Sequence, residues 1–443
     1  MDRTNLLAAV DEATVLATCG DTPLPRVGVV EQRWETDPIP VDDVERLAEA
    51  AVGDLALADV PDGGSVAVGV GSRGVNALPV IVRGTVSGLE ARGYEPFVFP
   101  AMGSHGGATA EGQRAKLAAL GVTEESIGCP IRATMDVVEV GTTPERGVPV
   151  YADAYAAAAD AIVPVNRIKP HTDFRGAVES GLSKMLVIGM GKQRGAKLAH
   201  TWAVDWSFRR MIPEITAQLL EALPVGGGIA VVEDQRDETA ILEAISPSDF
   251  LGREAELLEL AYELLPTLPF DRLDLLVVDR MGKDVSGPGM DPNVIGRMVY
   301  GLHEPAPERP AIKRIYARSL TEPSHGNAAG IGQADFVHAD LLAAIDPAKT
   351  LINALTASTP RAVRVPPAVE TDRAGIVAGL STIGVVDPET VRFARVQDTM
   401  HLERLVVSTA LVEEARSRDD LRVVREPGEL TFEDGRLPPF PAE

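Results

Sequence analysis

The chain has 443 residues, 45% of them hydrophobic and 24% charged, with a net charge of −23. One core stops growing near about 250–300 residues, so this length implies two large lobes, and the excess of acid excludes wrapping a polyphosphate backbone. No apolar run approaches the roughly 18 residues of a membrane span, and the start MDRTNLLAAVDEATVLATCG has neither the basic nor the apolar region of a signal peptide, so the expectation is a cytoplasmic protein with a small-molecule partner, no nucleic acid and no membrane.

The N-terminal part alternates apolar strand-like runs with amphipathic helical stretches, which predicts an α/β lobe with a mostly parallel sheet. SVAVGVG (65–71) reads as a buried strand, followed by a helix near 76–92. PFVFPAM is the next strand, ATAEGQRAKLAAL the next helix, and DAIVPVN (160–166) a further strand. From Gly176 to Trp202 one or two helices are expected, broken around Gly189 and Gly191. FRRMIPEITAQLLEAL is then a helix, GIAVVED a strand and FLGREAELLELAYELL a strongly amphipathic helix. The exit from this lobe falls at LPFDRL, which places an N-terminal domain at 1–270 and a C-terminal α/β domain at 271–425, with a Pro-rich surface tail over 426–443. The second domain opens with LDLLVVDRMGKDVSGPGMDPNVIGR and continues with a strand (IKRIYARSL), a helix (DFVHADLLAAI) and another helix (DRAGIVAGLSTIG). VRFARV and LERLVVSTALVEEAR either complete this domain or fold back over the first. The active site is expected in the cleft between the lobes.

In parallel sheets ligands gather beyond the carboxyl ends of the strands, which directs attention to the loops GVGSRG, AMGSHGG and VNRIKPH. His105 and His171 lie in two of them, and an imidazole titrates close enough to neutrality to act as acid or base. The simpler reading of His105 is a strand-end histidine capping the next helix. The chain holds eight lysines against thirty-four arginines, yet Lys169, Lys184, Lys192 and Lys197 fall between 169 and 200 together with His171 and His200. An amine can serve as nucleophile or tether where a guanidinium stays protonated, so this cluster is read as amine chemistry, against the simpler reading that it is accidental. GKQRGAKLAH could cradle a phosphate, but the Walker spacing fails at Leu186 and Gln193, and GVGSRG lacks the third glycine of the dinucleotide fingerprint. Cys19 and Cys129 read as core thiols. Asp284, Asp291 and Asn293 lack the spacing of a calcium loop. His325 lies beside glycines and is read as structural, as are His303, His338 and His401, with Trp202 and Trp206 as packing residues.

The ordered set Arg73, His105, His171, Lys184 and His200 resembles that of the nickel-dependent lactate racemases and their 2-hydroxy-acid racemase and epimerase relatives. The likeness is best over roughly 60–205. The resemblance implies a nickel-pincer nucleotide, a pyridinium mononucleotide joined to Lys184 through a thioamide, with nickel in a sulfur–carbon–sulfur pincer and His200 as its protein ligand. It implies His105 and His171 as paired acid/base residues, Arg73 as a grip on the substrate carboxylate, and enzymes that build the cofactor as partners. Gly71 and Ser72 precede Arg73 where the family has Asp-x-Thr-Arg, and Gly-Leu-Ser-Lys stands at the tether for Gly-Gly-Ala-Lys. The substrate contacts expected from the second lobe are Lys283 and Arg297. The competing readings are a histidine-metal hydrolase or lyase, with a zinc-like ion among His105, His171 and His200, and a cofactor-binding protein without turnover.

Overall fold

The computed structural model describes residues 8–72, 74–298 and 307–441. Arg73 and His303 lie outside them. The chain divides into two compact units, Thr36–Leu265 and a second made of Met1–Glu35 with Pro266–Glu443. Both are α/β. Among the described residues no helix is long and apolar enough to cross a membrane.

The Thr36–Leu265 unit is built on a five-stranded sheet in the order Glu95–Pro100, Ser65–Val70, Ala161–Arg167, Gly228–Glu233, Thr239–Ile245. The first four strands run parallel and the last is antiparallel. The parallel strands read as nearly continuous apolar runs because both faces are covered. Ala67, Phe97, Phe99, Ile162, Ala230 and Val232 point to one face, against Phe208–Ala222 and Phe250–Glu263. Val66, Val68, Val98, Val163, Ile229 and Val231 point to the other, against Val41–Ala51 and Leu78–Ala91. The last two helices pack closely through Gly84, where an added Cβ would stand 2.3 Å from the Glu45 carbonyl oxygen.

The connection leaving Ser65–Val70 passes over one face to Glu95–Pro100, whereas Ala161–Arg167 is followed by helices on the opposite face before Gly228–Glu233. Ser65–Val70 and Ala161–Arg167 are neighbours, so their carboxyl ends flank a topological switch point, the place where an open α/β sheet leaves a crevice.

The second unit carries an eight-stranded sheet, in the order Ala368–Val369, Phe336–His338, Ala311–Leu320, Arg272–Met281, Phe393–Val396, Arg404–Ser408, Val27–Gln32, Leu421–Gly428. The first five are parallel and the others antiparallel. Three sequence expectations change here. Val27–Gln32, expected within a 1–270 domain, lies between Arg404–Ser408 and Leu421–Gly428, because its buried run VGVV needs strand partners on both sides. DFVHADLLAAI, expected as one helix, gives the strand Phe336–His338 before the helix Ala339–Ala343, since Val337 is buried in parallel pairing. The tail is anchored rather than lying free on the surface: Leu437 is buried and donates its N–H to Asp372 at 2.8 Å, and the Pro438 carbonyl accepts from Arg395 at 2.8 Å.

Candidate functional site

The carboxyl ends of the three neighbouring strands carry the loops at Gly71–Ser72, at 101–107 and at 168–176. Ser72 Oγ contacts His105 Nδ1, so the hydroxyl takes the orienting position for which the sequence offers no acid. The backbone beneath His105 is held by Gln113, whose Nε2 donates to the Gly103 carbonyl at 2.8 Å, while Gly103 donates its N–H to Gly189 at 2.9 Å. His105 itself is exposed. The Gly103–Gly189 bond joins its loop to the segment that follows Lys184.

His171 is fixed more completely. Glu179, 2% exposed, accepts the His171 N–H at 2.6 Å and the Gly176 N–H at 3.1 Å, and the Tyr262 hydroxyl donates to both its oxygens at 3.0 and 3.2 Å. Burial raises the Glu179 pKa, opposed by these donors and by the charge of Arg175. Arg175 also closes the loop by donating to the His171 carbonyl at 2.6 Å. The ring is oriented by the Asp173 N–H, which donates to Nδ1 at 2.9 Å, and it packs on Phe174 with centroids 4.5 Å apart. Neither Glu179 nor Tyr262 was picked out from the sequence. Glu179→Ala leaves three donors without their acceptor, each costing about 1–3 kcal/mol when buried. The expected result is a loss of about 2–4 kcal/mol in denaturant unfolding; unchanged stability refutes the bracing role.

Lys184 ends the short helix Leu182–Lys184, which runs into a π-turn over Met185–Gly189 and then the helix Lys192–Trp206. Single π-turns inside helices are rare and recur at functional sites. The turn is pinned at its start by Glu254, fully buried, which accepts the Ser183 N–H at 3.0 Å and the Ser183 hydroxyl at 2.5 Å. Gly181 is required there, because a Cβ would stand 2.0 Å from the Glu254 carboxylate. Half-buried Lys184 then meets Nε2 of His171 with its Nζ. His200, on the helix Lys192–Trp206, packs edge-on against Phe208 with ring centroids 5.2 Å apart. Burial first, and the charge of Lys184 second, push its pKa down to about 4, leaving at neutral pH an uncharged imidazole able to donate a lone pair to a metal.

Glu254 and His200 give opposite pH slopes. Burial pushes the Glu254 pKa up to about 7, against the donors from Ser183. An unfolded glutamate ionises near about 4.3, so between these values the folded state holds the extra proton and this carboxyl's contribution falls as pH rises. His200 is depressed from about 6.5, so its contribution is full above that value and is lost as pH drops through 4. Glu254→Gln removes the first effect alone. Relative to the parent, the variant is expected to gain about 3 kcal/mol between pH 5 and pH 8 in urea unfolding; parallel pH profiles rule the assignment out.

The other expected residues have other surroundings. Lys192 is fully buried, pairs with Asp153 at 2.9 Å and donates to Gln113 at 3.1 Å, joining elements behind the site. Lys197 is exposed, and the Lys169 backbone pairs with Ser180. Lys283 and Arg297 belong to the second unit. Lys283 Nζ donates to the Gly287 carbonyl and to Asn353 at 2.9 Å. Arg297 pairs with Asp335 at 2.7 Å and donates to the carbonyls of Gln333, Ile312 and Lys313. Asp291 caps the helix Pro292–Ile295, and Asp284 accepts from Thr321. His338 is buried and His401 pairs with Asp398 at 2.8 Å. Among the described residues no three His, Cys, Asp or Glu side chains come together in a group able to hold a metal, so the zinc-like site among His105, His171 and His200 is not formed.

No protein-family model matches the sequence, and no curated protein matches it. Among solved structures the chain is similar to the lactate racemase apoprotein from Thermoanaerobacterium thermosaccharolyticum, with 13% identity and a TM-score of 0.42 over 85% of this chain and 89% of that one.

Proposed function

We propose that this protein is a racemase or epimerase of a 2-hydroxy acid that uses a nickel-pincer pyridinium mononucleotide tethered to Lys184. The observation that carries this reading is the meeting of the Lys184 amine with the His171 ring beside the switch point of the parallel sheet. The residues fit such a group: Lys184 supplies an amine for attachment, and His200 supplies a half-buried, uncharged imidazole as nickel ligand. When bound, the group supplies a place for the Cα hydride of the substrate to go and return from. The protein's part is proton traffic and orientation. His105 and His171 stand on separate loops, as a pair serving both hands of a substrate would, each able to take the hydroxyl proton and give it back. Ser72 orients the first ring and Asp173 the second. Arg73 is assigned to the substrate carboxylate, which a planar guanidinium can bind through both oxygens. The enzyme acts in the cytoplasm after the enzymes that build the group have supplied it.

The test is production of the protein together with those cofactor-building enzymes, followed by mass spectrometry of the Lys184 peptide, metal analysis and a chiral assay on lactate and larger 2-hydroxy acids. An adduct on Lys184, stoichiometric nickel and interconversion of one substrate's enantiomers are expected. An unmodified Lys184 in protein so prepared overturns the reading.

A further inference from the structure

Lys192 takes no part in the chemistry proposed above, yet it is costly to place. It is fully buried, and its backbone holds a φ of 53°, a left-handed conformation that a residue with a Cβ adopts only at a cost. Burial lowers its pKa, opposed by the charge of Asp153. Three groups face its Nζ: the Pro100 carbonyl, the Gln113 side-chain oxygen at 3.1 Å and the Asp153 carboxylate at 2.9 Å. Three acceptors call for three N–H donors, which only the ammonium has. An ammonium offers nothing to a donor, so Gln113 must turn Oε1 towards it and its NH2 group the other way. That NH2 group donates to the Gly103 carbonyl at 2.8 Å and to the His105 carbonyl at 3.4 Å.

We propose that Lys192 is a positioning residue for His105: its ammonium fixes the orientation of Gln113, and Gln113 fixes the turn that sets the His105 ring on Ser72. The network grips the loop at two points. Lys192 holds its start, at the carbonyl of Pro100 that ends the strand Glu95–Pro100, and Gln113, fully buried on the helix Ala110–Ala119, holds the carbonyls at Gly103 and His105. The acid is fixed too, since Asp153 Oδ1 accepts the N–H groups of Tyr155 at 2.8 Å and Ala156 at 3.0 Å. A methionine at 192 would fill the same space without burying a charge, but it would leave the Gln113 amide able to take either orientation. Lys192 also opens the helix Lys192–Trp206, which carries His200 and follows the turn after Lys184. One ammonium therefore ties the His105 loop to the segment holding both residues assigned to the cofactor. The inference deepens the function proposed above and rests on it for the effect on turnover, whereas the hold on the loop stands apart from it.

The experiment compares the full chain with Gln113→Met, with Lys192→Met joined to Asp153→Asn, which leaves neither charge buried alone, and with all three substitutions together. On protein without cofactor, amide hydrogen exchange at Gly103 and His105 is expected to be about tenfold faster in the first two variants, as the loss of one hydrogen bond implies. Ala67 and Val163, in the sheet, should keep the parent rate. The triple variant should exchange no faster than the others, because Lys192 acts through Gln113. With cofactor loaded, each variant should lose about 10–100-fold in kcat, with KM and the Lys184 adduct at the parent level, since a displaced proton-transfer group slows the chemical step. Parent exchange rates in the protein without the charge pair, accelerations that multiply in the triple variant, or an unchanged kcat overturn the proposal. Should that protein fail to fold, the parent decides: a scalar coupling across the hydrogen bond from Gln113 Nε2 to the Gly103 carbonyl carbon is expected, and its absence refutes the orientation. A parent that takes up no cofactor defeats the function above, while exchange and coupling still decide this inference.

Discussion

Lys184→Arg abolishes racemisation, with an expected fall of about 10⁴-fold or more, because loss of a covalent tether removes the reacting group as a whole. The substitution nearly preserves length and keeps nitrogen at the tip of the side chain, so a retained rate would show that no amine is needed there. A guanidinium stays protonated and offers no amine lone pair. Local structure should survive: the turn is held through the Ser183 N–H and hydroxyl on Glu254 and through Gly181, none of which involves the 184 side chain. The measurement pairs the chiral assay with intact mass, on protein made alongside the cofactor-building enzymes. Loss of activity with loss of the adduct supports the tether. A variant as active as its parent disposes of it.

What the sequence made legible follows physical rules that differ by element. The parallel strands Ser65–Val70, Glu95–Pro100 and Ala161–Arg167 could be read because burial on both faces leaves an apolar run with little alternation. Thr239–Ile245 was not read: it is the antiparallel edge of the same sheet, half-buried along most of its length, and TAILEAI has no distinctive period. Val27–Gln32 was missed as a member of the second unit because its partners, Arg404–Ser408 and Leu421–Gly428, lie at the far end of the chain, and pairing across such a separation has no local signature. The π-turn after Lys184 was expected only as a break in a helix. At the site, Lys184 and His171 stood out because lysine and histidine are scarce in this chain. Glu179 and Glu254 did not, since acidic residues are abundant and only the fold reveals which of them are buried beneath a loop. Ser72 could have been found by asking what replaces the missing acid beside Arg73.

The two histidines should separate under mutation although they share one reaction. His105→Ala is expected to lower racemisation by about 10²–10⁴-fold, the usual worth of a positioned acid or base. The Lys184 adduct should remain at the parent level, since the His105 ring contacts Ser72 and its loop is joined to the Lys184 segment through the backbone bond between Gly103 and Gly189. His171→Ala should lose catalysis to a similar extent and should also take up the cofactor more slowly, because it removes the ring that the Lys184 amine meets. The double variant should be little worse catalytically than either single one, since by microscopic reversibility interconversion in either direction needs both groups, and residues acting as a unit are not additive. Adduct occupancy by mass spectrometry and initial rates from each enantiomer distinguish these cases. Equal and severe loss of adduct in His105→Ala would assign that histidine to holding the cofactor rather than moving a proton, and multiplicative losses in the double variant would mean that the two imidazoles act independently.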